Sequence, residues 1–156
     1  MISYQTEGVK MPAIKRRETT AWIKAVAATY GKKVGDIAYI FCNDEKILEV
    51  NREYLQHDYY TDIITFDYCD LEGRGVVSGD IFIDVDTVAD NARIYGATRR
   101  DEMLRVVVHG VLHLCGQKDK TPRAEKQMHR KEDKYLKLLE EQFLIQNSKF
   151  KIQNQD

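Results

Sequence analysis

The stretch from Leu104 to Leu114 is the most apolar segment of the chain, and two histidines interrupt it. Leu104, Val107, Val108, Val111, Leu112 and Leu114 make it read as a buried, central helix, around which the other elements must be arranged. His109 and His113 lie four residues apart, so on a helix they sit one above the other on the same face. Buried imidazoles need partners for both ring nitrogens. A metal ion on one nitrogen and an acceptor on the other would satisfy them. Many helices carry such a pair and bind nothing, so the surroundings have to decide. Gly116 permits a left-handed turn that ends the helix and swings the chain back. Asp119, three residues on, can then supply a third ligand. Three protein ligands with an open fourth position describe a catalytic zinc site rather than a closed structural one. Cys115 is only two residues from His113 and points to a different face.

The remaining elements follow from periodicity and punctuation. Ile14, Trp22, Val26 and Tyr30 form a helical stripe within 12–30, and Gly31 is a natural C-cap. The run 37–42 reads as a strand. Asn43 or Asp44 can cap a helix to about Leu55, with Ile47, Val50 and Tyr54 facing inward. Strands are expected at 63–68 and 76–85, separated by the turn cluster LEGRG, with a short further strand near Ile2 and Tyr4. A helix at 86–95 ends at Gly96. Thr98 caps the histidine helix, and Thr121-Pro122 opens a last helix whose inward stripe is Met128, Tyr135, Leu139 and Phe143. This order implies an α+β fold: a small mixed sheet packed against helices, with a central metal-binding helix. Residues 1–146 read as a single metal-binding domain, and 147–156 as a polar C-terminal tail.

Composition sets the outer bounds. With 156 residues, 43% hydrophobic and 31% charged, the chain suits one soluble globular domain. No apolar run reaches the length of a membrane span, and the N-terminal residues lack the apolar core of a secretion signal. A cytoplasmic protein with no membrane partner is the expectation. Cys42, Cys69 and Cys115 are an odd number at irregular spacing and read as reduced, packed thiols. The net charge of -1 announces no nucleic-acid partner. Locally the balance changes, because eight Lys and Arg against four Asp and Glu lie between Gly116 and Lys137. Such a run is ordinarily a solvated helix face. Beside a metal site it can also hold a phosphate backbone.

The segment HGVLHLCGQKD resembles the HGxLHLxGxxH signature of the YbeY family, bacterial endoribonucleases of ribosomal RNA maturation. Two upstream blocks keep the family's order. VNREYLQHDYYTDIITF, from Val50 to Phe66, is similar to its LNxxYRxxDxPTDVLSF block, and SGDIFID, from Ser78 to Asp84, resembles its GDIxIS strand. Three positions depart from the pattern: Asp119 stands where the third ligand is usually histidine, Leu55 replaces an arginine often considered catalytic, and Tyr60 replaces a proline. The resemblance implies a single-strand-specific, metal-dependent endoribonuclease acting in ribosomal RNA maturation, especially at the 3′ end of 16S rRNA, and in ribosome quality control. It implies one Zn2+ per chain on His109, His113 and Asp119, with single-stranded or ribosomal RNA and ribosomal proteins as partners. It also places Thr61 and Asp62 at the cleft.

Within that reading, His57 is the candidate to supply the proton or phosphate contact that the missing arginine would give. Lys118, Lys120 and Arg123 are candidates to offset phosphate charge in the transition state. His129 reads as solvated surface. Two other functions compete. The zinc spacing also resembles the HExxHxxGxxH signature of metallopeptidases, but Gly110 stands where those enzymes place their general-base glutamate. A ribosome-associated binding protein with a structural metal is the other, kept open by Leu55.

Overall fold

The computed structural model describes residues 1–55, 61–69, 73 and 75–153, with 143–153 as backbone only. Four strands form one mixed sheet: β1 (Ile2–Thr6), β2 (Lys33–Cys42), β3 (Ile63–Asp67) and β4 (Val76–Asp84), in the order β1-β2-β4-β3. β1 runs parallel to β2 and β2 parallel to β4, whereas β3 pairs antiparallel with β4. Among the described residues, five α-helices accompany the sheet: α1 (Arg16–Thr29), α2 (Asp44–Val50), α3 (Val85–Tyr95), α4 (Arg99–Leu114) and α5 (Pro122–Gln153). The α+β class and the small mixed sheet read from the sequence are what the structure contains.

Strand periodicity sorts the side chains between two layers. Ile37, Tyr39 and Phe41 of β2, with Ile81 and Ile83 of β4, join the main core beneath α1, α4 and α5. The alternate residues Cys42 and Ile64, with Phe66 and Phe82, meet Ile47 and Val50 of α2 in a second, smaller cluster. α4 is buried along most of its length and packs on α1, α3, α5, β3 and β4. Full burial of each Val or Leu contributes roughly 1.5–3 kcal/mol. Two polar ties fix the helices. Tyr39 donates its hydroxyl to the Val107 carbonyl at 3.1 Å, and Trp22 Nε1 donates to the Tyr135 carbonyl at 2.7 Å.

Gly110 shows why α4 lies so close to the sheet. A Cβ there would come within 3.0–3.1 Å of Ile81 and Ile63 side-chain carbons. The bare side of the glycine therefore faces Ile63 of β3 and Ile81 of β4, and the two histidines border the same cavity as β3.

Three expectations need correction. α1 begins at Arg16 rather than Pro12, because a turn closed by Ile14 N–H to the Pro12 carbonyl already buries Ile14 ahead of the helix. Tyr54 is 61% exposed instead of inward. After Val50 the helix widens into a π-helical segment, Asn51–Leu55, so a residue four places on falls short of a full turn. Its ring still meets Phe66 edge-on. Finally, α5 continues as helix to Gln153, through most of the expected tail. Most of the LEGRG turn lies outside the described residues.

Candidate metal centre and its cleft

α4 holds both histidines on its polar face, and its two ends are built as the sequence suggested. Thr98 accepts a hydrogen bond from Asp101 N–H at 3.0 Å. At the other end Gly116 adopts φ 99°, a left-handed conformation that β-carbon sterics disfavour for other residues. Gln117 N–H then returns to the Leu112 carbonyl at 2.9 Å, and the chain folds back so that Asp119 meets the histidines.

The three side chains converge closely. His109 Nε2 and His113 Nε2 are 3.0 Å apart. Asp119 Oδ2 lies 3.2 Å from His113 Nε2 and 3.5 Å from His109 Nε2. A tetrahedral ion with bonds of about 2.0–2.1 Å needs ligand atoms about 3.3 Å apart. The spacing fits.

The hydrogen atoms make the stronger case. His113 Nδ1 is 3.0 Å from the Gln117 carbonyl, which can only accept, so this nitrogen carries the proton. His109 Nδ1 is 2.7 Å from Glu132 Oε2. Burial pushes the Glu132 carboxyl up, but the His109 hydrogen bond, Arg105 and His129 outweigh it and hold the group below the usual range. Glu132 is therefore an ionised acceptor, and His109 Nδ1 carries the proton toward it. Both Nε2 atoms then present lone pairs to each other and to the Asp119 carboxylate. Either a proton on one Nε2 or a metal ion at the centre can bridge these acceptors. In keeping with this, burial lowers the proton affinity of His109, yet Glu132, Asp62 and Asp119 raise it above the ordinary value overall. The field that attracts a proton also attracts a metal ion, and the two compete.

Glu132 is the site residue that sequence reasoning missed. It was counted among the acids of a solvated helix face, but it is 2% exposed. Arg105 clamps it at 3.0 Å and reaches Asp133 at 2.7 Å, so this arginine is neutralised within the protein. The available signal was position: Glu132 is four residues after Met128 and three before Tyr135, on the buried stripe itself.

The centre opens into a cavity of about 1150 Å³, bordered by Thr61 and Asp62 before β3, by α3, and by the start of α5. The TDIITF block thus reaches the cleft, as its resemblance implied. Burial raises the Asp62 carboxyl, partly offset by His109. Lys120 borders the cavity, whereas Lys118 and Arg123 are exposed outside its lining. His129, read as surface, lines it as well and approaches Glu132 at 3.4 Å. Leu55 is partly exposed, and His57 lies outside the described residues. Cys115 is buried, and burial pushes its thiol up to about 11, away from ligand chemistry.

Comparison with known proteins places this geometry. The family profile described as Endoribonuclease YbeY matches residues 2–140. A Bacteroides thetaiotaomicron protein named Endoribonuclease YbeY is 63% identical over 135 residues, covering 86% of this chain and 96% of the relative. A Phocaeicola vulgatus protein of the same name is 62% identical over 139 residues, covering 89% and 99%. Among solved structures, TM1509 from Thermotoga maritima, a solution structure, covers 96% of this chain and 95% of its own at a TM-score of 0.64. Its 24% identity carries the fold alone. Among the described residues, no helix is long and apolar enough to cross a membrane.

Proposed function

This chain belongs to the endoribonuclease YbeY family, and from that premise we propose that it cuts RNA with one metal ion held by His109, His113 and Asp119. The observation that carries the proposal is the triangle of ligand atoms, 3.0–3.5 Å apart, opening into a cleft. The donor set, two imidazoles and a carboxylate, suits zinc. Zinc held there would supply Lewis acidity at a phosphodiester and a more acidic water. The chain's own residues do the rest. Glu132 holds His109 in the tautomer that leaves Nε2 free, and Arg105 holds Glu132. The Gln117 carbonyl does the same for His113. Lys120 at the rim offsets phosphate charge, with Lys118 and Arg123 along the approach. We assign His57 the proton or phosphate contact that an arginine at position 55 would make.

The substrate we infer is single-stranded RNA, in the maturation of 16S rRNA at its 3′ end and in ribosome quality control, within the cytoplasm and in contact with ribosomal proteins. A peptidase has no support in this geometry, because position 110 faces Ile63 and Ile81 and leaves no room for a glutamate aimed at the cleft. A non-catalytic ribosome-binding protein would hold metal and RNA without cutting. The test is cleavage of one labelled single-stranded RNA by wild type, His113→Ala and His57→Ala, each assayed for bound metal. The expected result is a metal-replete, active wild type, an inactive His113→Ala and a weakened His57→Ala. Equal cleavage by all three would reveal a contaminating nuclease. Metal-replete wild type that binds RNA without cutting would favour the binding protein.

A further inference from the structure

Apart from His109, His113, Asp119 and Lys120, the cleft has a wall built by α3. α3 turns Val88 and Ala92 into the core. Asn91 and Tyr95, one helical turn apart on another face, both line the cavity that holds His109, His113 and Asp119. Tyr95 is 70% exposed, so its ring is free to be covered by a ligand. It is the last residue of α3, and Gly96 follows at φ 67°, which stops the helix and leaves the ring at the mouth of the cleft. Lys120 and His129 line the same cavity.

We propose that Tyr95 and Asn91 seat an unpaired nucleobase of the RNA strand being cut, Tyr95 by stacking on its face and Asn91 by hydrogen-bonding its edge. The proposal rests on the endoribonuclease reading and deepens it. An aromatic ring stacks on any base, and a carboxamide offers both a donor and an acceptor to an exposed base edge. A strand lying in the cleft would then present a base to α3 and its phosphates to Lys120. In a duplex the base is already stacked and its edge already paired, so this wall admits only single strands. The device positions the strand and touches no reacting atom.

The test uses metal-replete protein and a short single-stranded RNA carrying 2-aminopurine at one position at a time, read before the first turnover. Stacking on Tyr95 quenches the fluorescence at one register in wild type and in Tyr95→Phe, which keeps the ring. Tyr95→Ala loses that quenching and raises KM roughly tenfold with little change in kcat, as expected for lost stacking. Asn91→Ala flattens the preference among the four bases at that register. Exposure of Tyr95 makes misfolding of its variants a poor alternative. Tyr95→Ala quenching and cleaving like wild type would overturn the proposal, as would Tyr95→Phe falling as far as Tyr95→Ala. Unchanged base preference in Asn91→Ala would remove Asn91 from it. Wild type that holds metal yet neither binds nor cuts the RNA would instead overturn the endoribonuclease reading.

Discussion

His109, His113 and Asp119 bring three ligand atoms within 4.8 Å of one another, and so do Asp44, Asp84 and Asp86 near the ends of β2 and β4. Distance does not separate the two groups, but the hydrogens do. In the acidic group the Asp84 and Asp86 carboxylates are already answered. Asp84 caps α3, accepting from Asp86 N–H at 3.0 Å and Thr87 N–H at 3.4 Å, and from the Thr87 hydroxyl at 2.9 Å. Asp86 accepts from Asp44 N–H at 3.1 Å. Burial, reinforced by Asp44, pushes Asp84 up to about 7, so it holds a proton where an ordinary carboxyl has lost one. This cluster ends one helix and ties it to another. In the histidine group the protons point outward, to Glu132 and Gln117, and the lone pairs point inward. A cation site is recognised by acceptors left facing one another.

The largest expected effect comes from breaking the histidine group. His113→Ala removes a ligand, so metal content should fall from about one per chain to near zero by elemental analysis. RNA cleavage should fall at least a hundredfold, the scale of losing an electrostatic stabiliser. Glu132→Gln tests whether the outward protons matter. It keeps the shape, loses the charge that Arg105 and His109 share, and should weaken metal affinity about 10–100-fold in competition with a chelator. Retention at wild-type affinity would mean that the orientation of His109 is set by packing alone. Asp119→Asn should weaken retention by a smaller factor, whereas Asp119→His should preserve it, because imidazole also suits zinc.

The acidic group should respond differently. Asp84→Asn keeps a capping oxygen and offers Asp44 a donor, so metal content and cleavage should not change. Stability is where it should show. A carboxyl whose proton is held more tightly in the folded state than its ordinary 3.8 contributes stability at low pH and loses it as pH rises toward 7. Wild type should therefore lose up to about 1.4 kcal/mol per pH unit across that window relative to Asp84→Asn. Parallel urea melts of the two proteins from pH 4 to pH 8 check this. Curves that stay parallel would assign Asp84 an ordinary titration.

The same contrast explains what could be read from the chain before its structure. The grouping of His109, His113 and Asp119 was legible because i, i+4 histidines, a glycine turn and a carboxylate are local features, and a helix converts local spacing into geometry. α4 was legible for the same reason, as its apolar run admits only burial. Glu132 was not, because it reaches His109 from a helix 23 residues away. Its neighbours Arg130, Lys131 and Asp133 give it the look of solvent-facing charge. Only its phase relative to Met128 and Tyr135 marked it as buried. Tyr54 was misplaced because nothing in its residues announces the change from an α-helical to a π-helical turn. Of the three cations singled out from the basic run, Lys120 alone borders the cleft, since charge counts carry no direction.

The central claim is that the histidine triangle, and not the acidic cluster, holds the metal. Anomalous X-ray scattering at the zinc edge, from crystals of the protein grown without chelator and supplied with zinc, tests it directly. One strong peak within bonding distance of His109 Nε2, His113 Nε2 and the Asp119 carboxylate is the expected result, with none at Asp44, Asp84 and Asp86. A peak at the acidic cluster with none at the histidines would contradict the account, and so would no peak at either.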